Sequence, residues 1–97
     1  MSNKIKVRIG GPDGNVKTFR GRFAWALDRL ITAGDAGITS LTHPAPRLSH
    51  YVHILRRNGV TIETLDEKHA GDFPGVHGRY VLRSPVVVLE TETSEAA

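Results

Sequence analysis

Five histidines, 13 Lys and Arg residues and no cysteine bound the chemistry open to this 97-residue chain. The densest cluster of reactive side chains is Arg47 to Ile62, RLSHYVHILRRNGVTI. His50 and His53 stand three positions apart there, a spacing that puts both imidazoles on one helix face and would let them chelate a metal. A zinc site needs three or four converging ligands, however. No Asp or Glu accompanies this pair on the helix, and His69 and His77 belong to a segment that nothing in the spacing brings near. Neither a metal nor another cofactor is expected. Ser49 and His53 are one helical turn apart, but a hydrolytic triad also requires a carboxylate to orient the imidazole, and that face has none. The glycine-rich GGPDG at Gly10 to Gly14 is followed neither by Gly-Lys-Ser/Thr nor by an immediate helix, so it lacks the parts of a phosphate loop. No enzyme activity is expected. What remains on Arg47, Ser49, His50, His53, Arg56 and Arg57 is a set of hydrogen-bond donors and positive charges, the groups that meet phosphate oxygens and base edges.

The element that positions these groups is an amphipathic helix over Arg47 to Asn58. Leu48, Tyr51, Val52 and Leu55 recur at i, i+3, i+4 and i+7 and form its buried stripe. His50, His53 and Arg57 fall on the opposite side, flanked by Ser49, Arg56 and Arg47. Pro46 suits the first helical turn, and Gly59 suits a left-handed stop. Val60 and Ile62 then alternate with Thr61 and Glu63 at a period of two, so a strand follows without a linker. That strand, VTIETLDEKH, is expected to pair with GRYVLRS, Gly78 to Ser84, across the loop AGDFPGVH. The result would be a wing with Lys68, His69, His77 and Arg79 at its base and Phe73 and Val76 at its tip.

Upstream, Lys4 to Ile9 places Ile5, Val7 and Ile9 on one side and Lys4, Lys6 and Arg8 on the other, the pattern of a half-buried strand. Gly10 to Gly14 has the chemistry of a turn, and Val16, Thr18 and Phe19 can return as the second strand of a hairpin. Arg20 to Ala33 reads as a first core helix, with Phe23, Leu27, Leu30 and Ile31 on one face, Ala26 beside them and Gly34 as its stop. Trp25 lies opposite that stripe. Cover by the N-terminal hairpin or the C-terminal strand is expected there, in preference to an oligomer interface. Thr39 can cap a one-turn helix over Ser40 to His43, ended by Pro44, which with the Ala45-Pro46-Arg47 turn and the following helix makes a compressed helix-turn-helix. After Pro85, Val86 to Leu89 form a last apolar strand that would pair at the sheet edge or with another subunit. The expected fold is α+β: a winged helix-turn-helix over 19–84, an N-terminal strand or hairpin over 1–18, and a last strand with an acidic, disordered tail over 85–97.

With 39% hydrophobic residues at this length, the chain forms one domain with a modest core. No apolar run approaches the roughly 18 to 20 residues that span a bilayer. The N-terminus, MSNKIKVRIGG, lacks the apolar core of a signal peptide, and the absence of cysteine fits a reducing compartment. A cytoplasmic protein without membrane contact is expected. The charge is uneven: all 13 Lys and Arg and seven of the ten acids precede Ser84, leaving +6 there and −3 beyond. A basic body suits an anionic partner.

On these segments the chain resembles a family of small bacterial winged-helix domain proteins. The likeness spans roughly Phe19 to Ser84 and rests on RGRFAWALDRLITAGDAGITSL, HPAPRLSHYVHILRRNGVTIET and EKHAGDFPGVHGRYVLRS occurring in that order. Leu48 stands where relatives are expected to carry a larger aromatic, and Thr42 where they carry an acidic cap. The resemblance implies a winged helix that binds double-stranded DNA, with Arg47, Ser49, His50, His53, Arg56 and Arg57 on its recognition helix. Lys68, His69, His77 and Arg79 would then meet the neighbouring backbone or minor groove, and tight binding would need a homodimer on paired half-sites. A transcription regulator is the leading expectation. The alternative is a protein-interaction module that uses the same scaffold, with Trp25, Phe73 and Val76 as anchors. The carboxylate-free charge of the exposed helix face favours DNA.

Overall fold

The computed structural model describes residues 3–39, 47–69 and 75–93, with side chains at 4–39, 47–66 and 78–91. The alternating N-terminal segment forms strand β1 (Asn3–Ile9), which pairs antiparallel with β2 (Asn15–Arg20) from Lys4↔Arg20 to Ile9↔Asn15. Ile5, Val7, Ile9 and Phe19 turn inward and are buried. β2 passes directly into helix α1 (Gly21–Ala33). The helix starts one residue later than the periodicity suggests, because Arg20 remains extended as the last paired residue of β2. Ala24, Ala26, Leu27 and Leu30 of α1 are buried, with Phe23, Trp25 and Ile31 half-buried around them. Trp25 packs against the core, and the Arg22 guanidinium lies over its ring at 5.9 Å from the centroid.

Gly34 closes α1 as expected, and a single 3-10 turn, Gly34–Ala36, leads to Ile38. Ile38 then exchanges two backbone hydrogen bonds with Tyr80, at 2.9 and 2.8 Å, a bridge not anticipated from the sequence. The expected helix at Ser40–His43 and its following turn lie outside the described residues.

Helix α2 (Leu48–Arg57) buries Leu48, Val52 and Leu55 against α1, and Arg47 and Asn58 serve as its caps. At its end the Gly59 N–H donates to the Arg56 carbonyl and the Val60 N–H to the Leu55 carbonyl, both at 3.1 Å. This is a Schellman closure, which requires the positive φ of 94° at Gly59 and packs Val60 beside Leu55 in the core. Because the Val60 N–H belongs to the helix cap, the next strand begins at Ile62 and not at Val60.

The wing is longer at its tip and shorter at its base than the sequence suggests. β3 (Ile62–His69) pairs antiparallel with β4 (Gly75–Leu82) from Ile62↔Leu82 to His69↔Gly75. Gly75, Val76 and His77 are therefore ladder residues, and the interval between the strands shrinks to 70–74. Arg83 and Ser84 leave the ladder because the Ser84 hydroxyl accepts from the Thr61 N–H while the Thr61 carbonyl accepts from both of their amides.

β5 (Val86–Thr93) pairs with β1 and completes a sheet of order β2-β1-β5. It runs four residues past the apolar Val86–Leu89, so Glu90 to Thr93 are strand and not disordered tail. The reason lies across the ladder: Glu90 and Glu92 stand opposite Lys6 and Lys4, and the Lys6 Nζ is 3.6 Å from Glu90. Ile5, Val7 and Ile9 share one buried cluster with α1 and with Leu48, Val52, Leu55, Val60 and Ile62. The N-terminal sheet and the winged portion thus have a common core.

Gly37 and Gly59 allow a test of this wiring. A Cβ at Gly59 meets nothing within 4 Å, whereas one at Gly37 would lie 2.5 Å from the Tyr80 carbonyl oxygen, at a φ of 69°. In urea unfolding, Gly59→Ala is expected to cost about 1 kcal/mol, from backbone strain alone. Gly37→Ala should cost about 3 kcal/mol, because a clash with the bridge adds to the strain. Equal losses would mean that the Ile38–Tyr80 bridge does not hold the turn against the wing.

Candidate nucleic-acid interface

Helix periodicity and the contact with α1 together decide which α2 side chains face outward. Ser49, His53 and Arg57, at i, i+4 and i+8, form an exposed line, with Arg47 exposed at the N-cap. Among the described residues, none of these four side chains has a hydrogen-bond or ion-pair partner. At a 1.5 Å rise, the line spans about 12 Å of helix axis.

The other two α2 positions behave differently. His50 is half-buried: its ring lies 6.2 Å from that of Phe23 on α1 and 6.3 Å from that of Tyr51, and Phe23 meets Tyr51 edge-on at 5.8 Å. It belongs to an aromatic cluster at the helix junction as much as to the outer face. Arg56 folds back along the wing. Its Nε donates to the Ile62 carbonyl at 3.1 Å, and its Nη2 donates to the same oxygen at 2.6 Å and to Thr64 Oγ1 at 2.7 Å. Arg56 and Arg57 both occupy the last turn, where the helix dipole favours cations, but only Arg57 projects its charge away from the protein.

Lys68 and His69 stand in β3 opposite Val76 and Gly75, and His77 stands in β4 opposite Glu67. Their side chains, like those of Phe73 and Val76, lie outside the described residues. Arg79 donates from Nη1 to the Ala36 carbonyl at 2.7 Å and so ties β4 to the turn after α1. The two wing strands hold Glu63, Asp66 and Glu67 against Lys68 and Arg79, so positive charge concentrates on α2 and not on the hairpin. Arg83 partly offsets this: its Nε and Nη2 each lie 2.7 Å from Glu63 Oε1, and its Nη1 lies 3.6 Å from Asp35.

A helix with an outward line of donors, followed at once by a hairpin that is bridged to the segment after the preceding helix, is the arrangement of a winged helix-turn-helix. Residues 16–92 match the family model of a winged helix domain. The chain belongs to the winged helix domain family. No curated protein and no solved structure matches it. The family match in this winged helix domain begins in β2 and ends in β5, so it reaches beyond the Phe19 to Ser84 span of the sequence resemblance at both ends. Among the described residues, no helix is long and apolar enough to cross a membrane.

The Arg56 contacts, together with Arg83 and Glu63, are the part of the winged helix site that sequence patterning missed. The one available signal was distance along the chain. A glycine-closed helix with no linker forces the next strand back past the last helical turn, which brings Ile62 and Thr64 within reach of Arg56. Removing this strap should loosen the wing. Hydrogen exchange on Arg56→Ala is expected to show several-fold less protection around Ile62–Thr64, with about 1 kcal/mol lost in global stability. Arg57→Ala should stay within about 0.5 kcal/mol of wild type. Equal behaviour of the two variants would contradict the strap.

Proposed function

We propose that this winged helix domain is a cytoplasmic transcription regulator that binds double-stranded DNA by seating α2 in the major groove. The observation that carries this reading is the carboxylate-free line of Ser49, His53 and Arg57 with Arg47 at its head, unpartnered among the described residues. Its length of about 12 Å corresponds to three or four base steps, and the groove is wide enough to admit a helix. Ser49, near the helix start, and His53 are short enough to reach base edges, as the first residues of recognition helices generally do. Arg57 and Arg47 supply phosphate contacts or the bidentate guanine contact. His50 enters from the flank, its ring bordered by Phe23.

Arg56 has a different part in this reading: it positions the wing relative to α2. Lys68, His69, His77 and Arg79 would contact the neighbouring backbone, as a secondary footprint beside that of the helix. No catalytic step is involved.

Fluorescence anisotropy of a labelled mixed-sequence duplex at about 50 and 200 mM salt tests this. Wild type should bind with a steep salt dependence, and Arg57→Ala should weaken binding and lower the log–log slope by about one. Absence of binding at the lower salt, or an Arg57→Ala slope equal to that of wild type, would overturn the assignment of α2 as the phosphate-contacting element.

A further inference from the structure

Three of the five large apolar side chains exposed among the described residues are consecutive in β5: Val87 at 53%, Val88 at 40% and Leu89 at 39% exposed. β5 is also an edge. β1 pairs with one side of it from Val86 to Thr93, and no strand among the described residues pairs with the other. Edge strands of this length are commonly blunted by a central lysine, proline or inward charge. The Val86–Leu89 half of β5 carries none of these three, its one irregularity being a register shift against β1 at Leu89, and its acids, Glu90 and Glu92, occupy the second half alone.

We infer that β5 is the contact strand of a homodimer, in which the β5 edges of two copies pair antiparallel about a two-fold axis and join two three-stranded sheets into one of six. The composition of the strand selects both the occupant and the direction. β5 reads apolar, then acidic, and Arg83 and Ser84 immediately precede it. Parallel pairing would set Glu90 against Glu90 and Glu92 against Glu92. Antiparallel pairing centred on Val87 sets Val87 against Val87 and Val86 against Val88. It also brings Glu90 to Ser84, beside the second copy's Arg83, whose guanidinium Glu63 and Asp35 of its own chain already hold. The faces stay in phase, because Val86 and Val88 stand opposite Ile9 and Val7 of β1 and so share the inward side of the sheet. The contact is self-complementary, as a two-fold interface must be. It does not depend on the DNA reading. Where that reading holds, the second copy supplies the second recognition helix that paired half-sites require.

The cysteine-free chain permits a direct test. Val87→Cys places a thiol on the proposed axis, and Val16→Cys places one on β2, the opposite edge of the sheet, at 43% exposure. Sedimentation from about 1 to about 100 μM covers the affinities expected of a small interface. Wild type should approach twice the 10.6 kDa chain mass, and Val87→Cys should form a disulfide dimer under mild oxidation several-fold faster than Val16→Cys. The double variant Val87→Lys, Val88→Lys should stay monomeric with an unchanged circular dichroism spectrum. A monomeric wild type throughout that range would overturn the inference. So would equal crosslinking at Val16→Cys, or a folded lysine variant that still dimerises. If the lysine variant does not fold, the cysteine pair decides alone.

Discussion

Leu48, Val52 and Leu55 are buried against α1, and this contact fixes the rotation of α2 about its axis. Burying a leucine or valine of this kind stabilises the fold by roughly 1.5 to 3 kcal/mol relative to leaving it exposed. A helix rotated far enough to hide Ser49 or Arg57 would forfeit several such terms at once. The outward line of Ser49, His53 and Arg57 therefore follows from the inward stripe and needs no interaction of its own to hold it. The same contact admits His50 to the junction, where Phe23 and Tyr51 border its ring.

The wing depends on α2 in turn. The Schellman closure at Gly59 commits Val60 to the core, so β3 must leave along the last helical turn, where Arg56 can bond Ile62 and Thr64. On the other strand, Tyr80 is bridged to Ile38 and Arg79 reaches Ala36, which returns the hairpin to the end of α1. Helix, wing and α1 thus form a closed circuit of contacts. A rigid presentation of α2 beside its wing reduces the ordering cost of meeting a ligand, the general advantage of preorganised sites. The sheet β2-β1-β5 extends the same core, since Ile5, Val7 and Ile9 share the cluster that holds Leu55.

The features legible in the sequence were those with a period. Alternation in Lys4–Ile9 and the i, i+3, i+4, i+7 stripe from Leu48 to Leu55 each specify an inside and an outside, and both are observed. Glycine stops at Gly34 and Gly59 were readable because a left-handed backbone is costly for any other residue. What could not be read was who fills the space beside an exposed-looking side chain. A helical wheel gives the angle of His50 but not the presence of Phe23, and it treats Arg56 and Arg57 alike although one is bonded to the wing. Val86–Leu89 has apolar residues on both faces, so its pattern named no partner. Pairing with β1 emerges only once Lys4 and Lys6 lie across from Glu92 and Glu90. The ends of the wing strands moved for a similar reason, because a serine hydroxyl at Ser84 and a helix cap at Val60 displaced ladder bonds that alternation alone would extend.

The central claim is that the exposed line of α2 is where this domain meets nucleic acid. Its most direct test is a titration of the isotopically labelled protein with an unlabelled mixed-sequence duplex, followed amide by amide in two-dimensional NMR. The account predicts that the largest shifts fall within Leu48–Asn58, with smaller ones along β3 and β4 and almost none in β5. Shifts centred on the outer face of β1, or spread evenly with no focus on α2, would contradict it.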